Sequence, residues 1–382
     1  MGNRASYSVI NTIEKFVRPE IRDLKAYHVG EAKNLIKLDN MENPYSWDQS
    51  VMSEWVELLK GAPVNRYPDP EALSLQKALR EAMSIPDDAG LILGNGSDEL
   101  IQMICMALSV SQDKKNATIL SLGPTFVMYK MLALFTNMEY NNVDLNEDFS
   151  LNVDAMLAAI EKTQPAVVFI SYPNNPTGNL FDEQEVCQII EASPGLVVID
   201  EAYFAFAGDS FAKYLDRYEN MMIMRTVSKM GLAGLRLGYM MGNPRWIEEF
   251  NKVRLPFNIN CLTQISVEFA LKNRAMFDEQ TDRLCVDREG LYAEMQKIDG
   301  IVCYPSKANF ILFKPTKAGS ANVLFESIKQ AGILIRNLSA NGGLLTDCLR
   351  VTIGADFENA AFLKALQEIF VLEQSEQEKG NV

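Results

Sequence analysis

Histidine is almost absent from this sequence, since His28 is the one histidine among 382 residues. A zinc site built on several histidines is therefore excluded, as is any catalytic scheme that needs two of them. If the chain is an enzyme, its acid–base chemistry must be carried out by Lys, Tyr, Asp, Glu or Cys side chains or by a cofactor. We expect no metal site.

The sequence also lacks basic runs and long apolar runs. Its net charge is −14, so the phosphate backbone of a nucleic acid would be repelled, and we expect no nucleic-acid partner. No apolar run reaches the length of a membrane span, and the first residues lack the apolar core of a signal peptide. We therefore expect no association with a membrane.

Paired cysteines are missing as well. The six cysteines are scattered, without a CxxC pair or a metal-ligand spacing. Cysteines in such positions are expected to be buried thiols in a reducing compartment, which predicts a cytoplasmic protein. They are Cys105, Cys187, Cys261, Cys285, Cys303 and Cys348.

What the chain does contain is a hydrophobic content of 48%, enough for a large core. From about residue 70, helical stretches such as 71–82, 98–109 and 182–192 alternate with short apolar runs. Runs rich in Val and Ile and bounded by Gly, Pro or Asn suit strands buried on both faces. The alternation predicts an α/β fold with a mostly parallel sheet flanked by helices. The apolar runs are "ATILSL", "AVVFISY", "LVVID", "MMIMRTV" and "RLGYMMG".

The pattern changes toward the C-terminus. A long helix is predicted over 243–256, and an α+β mixture follows after residue 290. We therefore predict a smaller α+β domain over 256–382, packed with an N-terminal arm. The large domain would span 46–255, and residues 1–45 would form the arm and part of the small domain.

Polar motifs follow four of the predicted strands. In an open α/β sheet, ligands bind outside the carboxyl ends of the strands, so motifs at that edge would converge on one pocket. Each motif taken alone could instead be a simple turn or a helix start. The four motifs are "GPTF" at 123–126, "SYPNNPTG" at 171–178, "DEAY" at 200–203 and "SK" at 228–229.

The lysine in "RTVSKMGLAGLRLGY" has unusual neighbours for a charged residue. Lys229 lies among Gly, Ala, Leu and Met, and Arg236 follows in the same segment. A lysine held partly out of water has a lowered pKa and exposes a nucleophilic amine. Apolar stretches that contain one lysine are also common in proteins in which that lysine has no catalytic role.

The segment "GNGSDELI" at 94–101 contains a glycine-rich turn that leads directly into a predicted helix. Its residues Gly96, Ser97 and Asp98 would present backbone N–H groups at the helix N-terminus, which is a phosphate site by geometry and dipole. The alternative is an ordinary helix cap at Ser97 or Asp98. Further donors for the same anion would come from Thr226, Ser228 and Arg236.

These groups together match one small molecule, pyridoxal 5'-phosphate. Its aldehyde forms an imine with a lysine, and its pyridinium nitrogen needs a carboxylate so that the ring stays protonated and accepts electrons. Its phosphate needs an anion site, its 3'-oxygen needs hydrogen-bond donors, and its ring needs an aromatic face. The sequence supplies the lysine, the phosphate site, an Asp at a strand end, a Tyr three residues later and an Asn on a turn.

The chain resembles the fold-type I, pyridoxal-phosphate-dependent aminotransferases, and within them the histidinol-phosphate branch. The matching motifs run in order from about residue 27 to 360, which is most of the chain. The combination of "SKMGLAGLRLGY", "NNPTG" and "DEAY" is highly specific for the superfamily. The motifs "GNGSDELI", "NRYPDP" and "IRN" with "LRVTIG" indicate the histidinol-phosphate branch.

The resemblance implies roles for the residues that would hold the ring. Lys229 would bind the cofactor covalently and act as the general acid–base, and Asp200 would pair with the pyridine nitrogen. Tyr203 and Asn175 would hydrogen-bond the 3'-oxygen. Phe126 would stack on the ring, at a position where relatives usually carry Tyr.

The resemblance also implies the phosphate ligands and a homodimer. Tyr67 of "NRYPDP" resembles the tyrosine that such dimers lend to the partner subunit's site. The spacing from Lys229 to Arg236 is one residue shorter than in many relatives, and "LDNMENPY" differs at its front from the commoner "NANENPY". The phosphate would be held by Gly96, Ser97, Asp98, Thr226, Ser228 and Arg236.

The implied substrates are histidinol phosphate and 2-oxoglutarate, which would exchange the amino group in two half-reactions. Arg350 matches the arginine that binds the anionic end of the substrate, with Asn175 beside it. Arg336 and Tyr27 resemble additional ligands for a phosphorylated substrate. Arg336 would alternatively form a surface or structural ion pair.

Three other functions remain open on the sequence alone. An aromatic or broad-specificity aminotransferase would share every cofactor residue. A threonine-phosphate decarboxylase shares the fold, the cofactor set and a phosphate pocket, and would release CO2. A binding protein on an inactive scaffold is disfavoured by the intact Lys229, Asp200 and Tyr203.

Overall fold

The computed structural model describes residues 9–25, 33–111, 113, 115–317 and 319–380. Its strands are short, and most are separated by helices as the alternation predicted. The strands are β1 Ile36–Lys37, β2 Gly90–Gly94, β3 Thr118–Gly123, β4 Glu139–Asp144, β5 Val167–Ser171, β6 Leu196–Asp200, β7 Met221–Thr226, β8 Gly238–Gly242, β9 Ile301–Cys303, β10 Phe310–Pro315, β11 Ile333–Leu334, β12 Arg336–Asn337 and β13 Leu349–Thr352.

The helices include the three predicted from the sequence, which form α4, α5 and α8 within two residues of the expected bounds. None of the helices in the described part of the chain has both the length and the apolar character that crossing a bilayer requires. The helices are α1 Val9–Phe16, α2 Pro19–Arg22, α3 Gln49–Leu59, α4 Leu73–Met83, α5 Ser97–Leu108, α6 Met128–Phe135, α7 Val153–Thr163, α8 Glu183–Ala192, α9 Phe204–Ala207, α10 Pro244–Asn251, α11 Cys261–Lys272, α12 Arg274–Met295, α13 Ala321–Gln330 and α14 Asp356–Gly380.

One helix is shorter than the sequence predicted. The helix expected over 243–256 ends at Asn251, and the chain continues as a turn. Pro256 accounts for part of the difference, because proline disfavours helical geometry in the residue before it. The prediction of a long helix at this position was therefore wrong.

A seven-stranded sheet forms the centre of the structure, in the order β2-β8-β7-β6-β5-β3-β4. Neighbouring strands from β7 to β4 run parallel, and β8 runs antiparallel to both β2 and β7. This arrangement confirms the predicted α/β fold with a mostly parallel sheet. The direction of β8 was not predicted.

The central strands are buried on both faces. Every residue of β6 is buried, and successive residues of this strand enter opposite cores. Val197 and Ile199 belong to one apolar cluster, whereas Leu196 and Val198 belong to another on the other side of the sheet. The apolar runs of the sequence are continuous because neither face of these strands meets water.

A second, antiparallel sheet has the order β12-β13-β10-β9, and β1 pairs with β11 in a two-stranded parallel sheet. A third apolar cluster lies here and includes Leu38, Phe310, Phe313, Val351 and Phe362. The N-terminal segment thus packs with elements from the C-terminal third of the chain. The domain bounds at residues 45 and 255 stay a prediction.

Matched valine-to-alanine substitutions test the two-sided burial. Val198 is fully buried in β6, whereas Val323 on α13 is 63% exposed. We expect Val198→Ala to lower the free energy of unfolding by about 2 kcal/mol or more, because it removes buried methyl groups and leaves a cavity. Val323→Ala should change it by less than about 0.5 kcal/mol. Denaturant titration measures both, and equal losses would contradict this description of the core.

Candidate active site

The polar ends of the central strands converge on one cavity of about 600 Å³. Asp200 ends β6, Thr226 ends β7 and Ser171 ends β5, so the predicted edge of the sheet is where the cavity lies. The lining residues are Asn40, Met41, Glu42, Ser97, Asp98, Phe126, Ser171, Asn175, Asp200, Ala202, Tyr203, Thr226, Ser228, Lys229, Ala233, Gly234 and Arg236.

Lys229 projects into the cavity from a short 3₁₀ turn that follows β7. Its Nζ donates to the backbone carbonyl of Asn40 at 3.3 Å. Burial, together with the positive charge of Arg350, lowers the pKa of Lys229 to about 8, against the opposing effect of the Glu42 carboxylate. The neutral, nucleophilic form of this amine is therefore much more populated near neutral pH than that of an exposed lysine.

Asp200 is buried at the end of its strand. It accepts hydrogen bonds from Tyr129 Oη at 2.7 Å and from the Ala202 N–H at 3.1 Å. Burial raises the pKa of Asp200 more than these two hydrogen bonds lower it, so that the pKa lies at about 6. A cationic partner in the cavity would favour the charged carboxylate.

Tyr129 was not predicted from the sequence as a site residue. Its ring is fully buried, stacks on Phe169 with centroids 4.6 Å apart, and meets Phe126 edge to face at 5.6 Å. The available signal was its position three residues after Phe126, which places both rings on one side of the chain as it enters α6. Tyr129 orients Asp200, while Phe126 lines the cavity itself.

Three buried polar side chains form a hydrogen-bonded row on another side of the cavity. Arg350 Nη1 donates to Asn175 Oδ1 at 2.6 Å, and Asn175 Nδ2 donates to Tyr203 Oη at 3.1 Å. Burial raises the pKa of Tyr203 above its ordinary value, so its hydroxyl keeps its proton. Arg350 also donates to the backbone carbonyl of Asp39 at 3.1 Å.

The N-terminus of α5 forms a corner rich in donors. Gly96 precedes this helix with φ of +83°, and a Cβ on Gly96 would lie 2.5 Å from Arg236 Nη2. The glycine therefore lets the guanidinium approach the first backbone N–H groups of the helix. Arg236 also lies 3.6 Å from the carboxylate of Asp98. This group is called the anion corner below.

Two hydroxyls complete the anion corner from the end of β7. The Oγ1 of Thr226 and the Oγ of Ser228 lie 2.7 Å apart, and both residues line the cavity with Ser97. Thr226 Oγ1 donates to the carbonyl of Leu237 at 2.9 Å. Backbone N–H groups, the Ser228 hydroxyl and a guanidinium together supply the donors of an anion site of the kind that binds phosphate. The anion corner consists of Gly96, Ser97, Asp98, Thr226, Ser228 and Arg236.

Among the described residues, Arg336 and Tyr67 were predicted for the site but do not line the cavity. Arg336 is half-buried and lies directly opposite Arg350 in the pairing of β12 with β13. Tyr67 is 80% exposed and stacks on Phe257 with centroids 4.5 Å apart. Tyr27 lies outside the described residues.

The cavity also contains residues that the sequence analysis did not single out. Asn40, Met41 and Glu42 enter from the segment after β1, and Ala233 and Gly234 come from the turn between Lys229 and Arg236. The first three belong to "LDNMENPY", the motif whose front differs from the commoner pattern. Their place beside Lys229 depends on the pairing of the N-terminal segment with β11, which is remote in sequence.

Comparison with known proteins identifies the family. The model of the family "Aminotransferase class I and II" matches residues 33–369. The chain belongs to this aminotransferase family. That assignment confirms the predicted family, fold class and aminotransferase activity, and the family depends on pyridoxal 5'-phosphate.

The similar proteins include curated aminotransferases over nearly their whole length. A relative from Nitrosococcus oceani named "Histidinol-phosphate aminotransferase 2" is 54% identical, covering 93% of this chain and 97% of the relative. A "Histidinol-phosphate aminotransferase" from Chromobacterium violaceum is 48% identical, with coverage of 94% and 99%. Both names agree with the branch that the motifs indicated.

A solved structure shares the fold. The histidinol-phosphate aminotransferase of Sinorhizobium meliloti, in complex with pyridoxal-5'-phosphate, superposes with a TM-score of 0.81 at 23% identity. The match covers 92% of this chain and 96% of that chain.

The environment of Lys229 leads to a prediction that tests whether this lysine binds pyridoxal 5'-phosphate. Because the pKa of Lys229 is about 8, the rate at which cofactor-free protein takes up pyridoxal 5'-phosphate should rise with pH around a midpoint near 8. Glu42→Gln should move this midpoint to lower pH, because the carboxylate raises the pKa of the lysine. The visible absorbance of the bound cofactor gives the rate.

Glu294→Gln is the control for this experiment, because Glu294 pairs with Lys297 at the surface. It should leave the midpoint unchanged. A wild-type midpoint near the ordinary lysine value of 10.5 would contradict the description of the site.

Proposed function

We propose that this chain transfers the amino group of histidinol phosphate to 2-oxoglutarate, with pyridoxal 5'-phosphate bound at Lys229. The observation that carries the proposal is the meeting of a lysine, a buried aspartate and an anion corner in one cavity of an aminotransferase. The names of the two relatives described above support the choice of amino donor.

The residues present fit the cofactor. Gly96 is needed where it stands, because a Cβ there would displace the guanidinium of Arg236 from the anion corner. Asp200 is a buried carboxylate that gains a partner if a protonated ring nitrogen faces it. Lys229 provides an amine with a pKa of about 8, low enough to react with an aldehyde.

When bound, the cofactor supplies an aldehyde that takes up the amino group and a ring that accepts electrons. Lys229 would remove the proton from the substrate carbon that carries nitrogen, hold it on Nζ and deliver it to the cofactor. Asp200 would keep the ring nitrogen protonated, with Tyr129 holding the carboxylate in place. Asn175 and Tyr203 would donate hydrogen bonds to the 3'-oxygen.

The remaining cavity groups would orient the cofactor. The anion corner would hold its phosphate through backbone N–H groups, the Ser228 hydroxyl and the guanidinium of Arg236. Phe126 would cover one face of the ring, and its missing hydroxyl removes no contact that this role needs.

Two arginines on the small sheet would bind the anionic end of the substrate. Arg350 is buried beside Asn175, and Arg336 lies opposite it in the strand ladder. Two guanidinium groups carried by facing residues would suit a phosphate dianion better than a single carboxylate. Tyr27 remains part of the proposal as a further phosphate ligand, although it lies outside the described residues.

A half-reaction experiment tests the amino donor. Histidinol phosphate, added to purified protein without an acceptor, should bleach the visible band of the bound cofactor, and 2-oxoglutarate should restore it. Aromatic amino acids should bleach it more slowly, and threonine phosphate should release no CO2. Lys229→Ala should lower turnover by about 10²- to 10⁴-fold from lost proton transfer alone.

The proposal fails if histidinol phosphate leaves the band intact while another amine bleaches it. Full turnover by Lys229→Ala would contradict the role of the lysine whichever donor is used. Lys252→Ala is the matched control, since Lys252 pairs with Glu249 at the surface and should leave turnover unchanged.

We further propose that two copies form a homodimer in which Tyr67 reaches the partner subunit's site. Tyr67, Val64, Leu73 and Leu255 are each at least 65% exposed, and Tyr67 stacks on Phe257. The segments that carry these residues lie together, since Arg254 donates to the carbonyl of Pro70 at 2.9 Å. An apolar surface of this kind is typical of an interface between subunits.

Mixed dimers test whether Tyr67 acts across the interface. Tyr67→Ala and Lys229→Ala should each lower activity in the pure variants. In refolded equal mixtures, about half of the dimers are hybrids of the two variants. Each hybrid has one site with both wild-type residues and one site with neither. About a quarter of all sites should therefore recover activity. No recovery would place Tyr67 in its own subunit's site and contradict the proposal.

A cytoplasmic location is part of the same proposal. All six cysteines are free thiols. Cys105 and Cys348 are buried as expected, whereas the other four are only partly buried. Unpaired thiols suit a reducing compartment.

A further inference from the structure

A buried ion pair lies directly behind the candidate active site. Arg225 Nη2 is 2.8 Å and Arg225 Nε is 2.9 Å from Glu201 Oε2. Glu201 is fully buried and Arg225 is 6% exposed. Neither residue lines the cavity formed by the described residues, and the proposed roles above use neither of them.

Further contacts enclose the two charges. The Phe211 N–H donates to Glu201 Oε1 at 2.7 Å, and the Ser210 hydroxyl donates to the same carboxylate at 2.9 Å while accepting from Arg225 Nη2 at 2.8 Å. The guanidinium also stacks on Phe204, with Arg225 Cζ 4.3 Å from the ring centroid. Buried charges that are satisfied on several sides are held in one arrangement, because any displacement leaves a charge without its partner.

Each member of the ion pair is the sequence neighbour of a cavity residue. Glu201 follows Asp200, and Arg225 precedes Thr226. Successive side chains of an extended chain point to opposite faces, so the ion pair lies on the reverse side from the two cavity residues. The backbones are joined here as well, because the Glu201 N–H donates to the carbonyl of Met224 at 2.8 Å.

We propose that Glu201 and Arg225 are positioning residues, which set the spacing between Asp200 at the end of β6 and the anion corner at the end of β7. This inference rests on the proposed function, because a rigid cofactor gripped at both ends requires a constant spacing between the two groups that hold it. Directional hydrogen bonds between charged groups resist sliding of the two strand ends, whereas apolar packing tolerates it.

An apolar replacement of the whole ion pair tests the proposal without leaving one charge buried alone. In the double variant Glu201→Leu with Arg225→Met, both charges are removed at similar volume, a change that often preserves stability. The thermal unfolding midpoint of the cofactor-free chain should stay close to that of the wild type. The Kd for pyridoxal 5'-phosphate, titrated by visible absorbance, should rise about 10- to 100-fold.

Kinetics of the same variant separate positioning from substrate binding. With saturating cofactor, kcat for histidinol phosphate should fall, because Asp200 and Lys229 are no longer held at the right separation. KM should change little, because the arginines proposed to bind the substrate lie on the other sheet.

A conservative variant decides the matter if the double variant does not fold. Glu201→Asp keeps the charge and shortens the side chain by one methylene, so it should fold and still raise the Kd for the cofactor. Glu289→Gln is the matched control, because it removes the carboxylate that pairs with another buried arginine, Arg288, on α12. It should leave the Kd unchanged.

The proposal is overturned if the folded double variant has the Kd and kcat of the wild type. If the double variant does not fold, the same result with Glu201→Asp overturns it. A lowered unfolding midpoint with unchanged Kd would overturn it too, because it would show that the ion pair serves stability alone. The Kd is measured without substrate, so a wrong assignment of the amino donor leaves this readout intact.

Discussion

The common end of the parallel strands is the constraint on which the rest of this structure depends. Because β5, β6 and β7 run in the same direction, the residues that end them or follow them must meet at one edge of the sheet. Asp200 and Lys229 come from successive strands and so enter the same cavity. The apolar cores on the two faces of the sheet hold this edge in place.

Burial disfavours the charged form of both ionisable groups in the cavity, so it shifts their two pKa values in opposite directions. It lowers the pKa of Lys229, which favours a neutral amine, and it raises the pKa of Asp200, which disfavours an unpartnered carboxylate. The hydrogen bond from Tyr129 partly offsets the effect at Asp200. The cavity thus contains a reactive amine and a buried carboxylate that a nearby cation would stabilise. Pyridoxal 5'-phosphate matches both groups, because its aldehyde reacts with an amine and its protonated ring nitrogen is the cation.

Much of this could be predicted from the sequence, because strands buried on both faces are continuous apolar runs and the polar motifs directly follow them. The direction of β8 could not, since "RLGYMMG" has the same composition whether the strand is parallel or antiparallel. Tyr129 was missed because a tyrosine in an apolar helical segment has the pattern of an ordinary core residue. Asn40, Met41 and Glu42 reach the cavity through a strand pairing between distant parts of the chain, which local patterns do not encode.

The reversed direction of β8 has a consequence for the chain between Lys229 and Arg236. Thr226 and Gly238 face each other in the β7–β8 ladder, so the backbone leaves the sheet and re-enters it at the same edge. Lys229 and Arg236 therefore lie on one loop, and both ends of this loop are held in adjacent strands. A change in the number of residues between the two groups would be accommodated within this loop, because the strand pairing holds both of its ends.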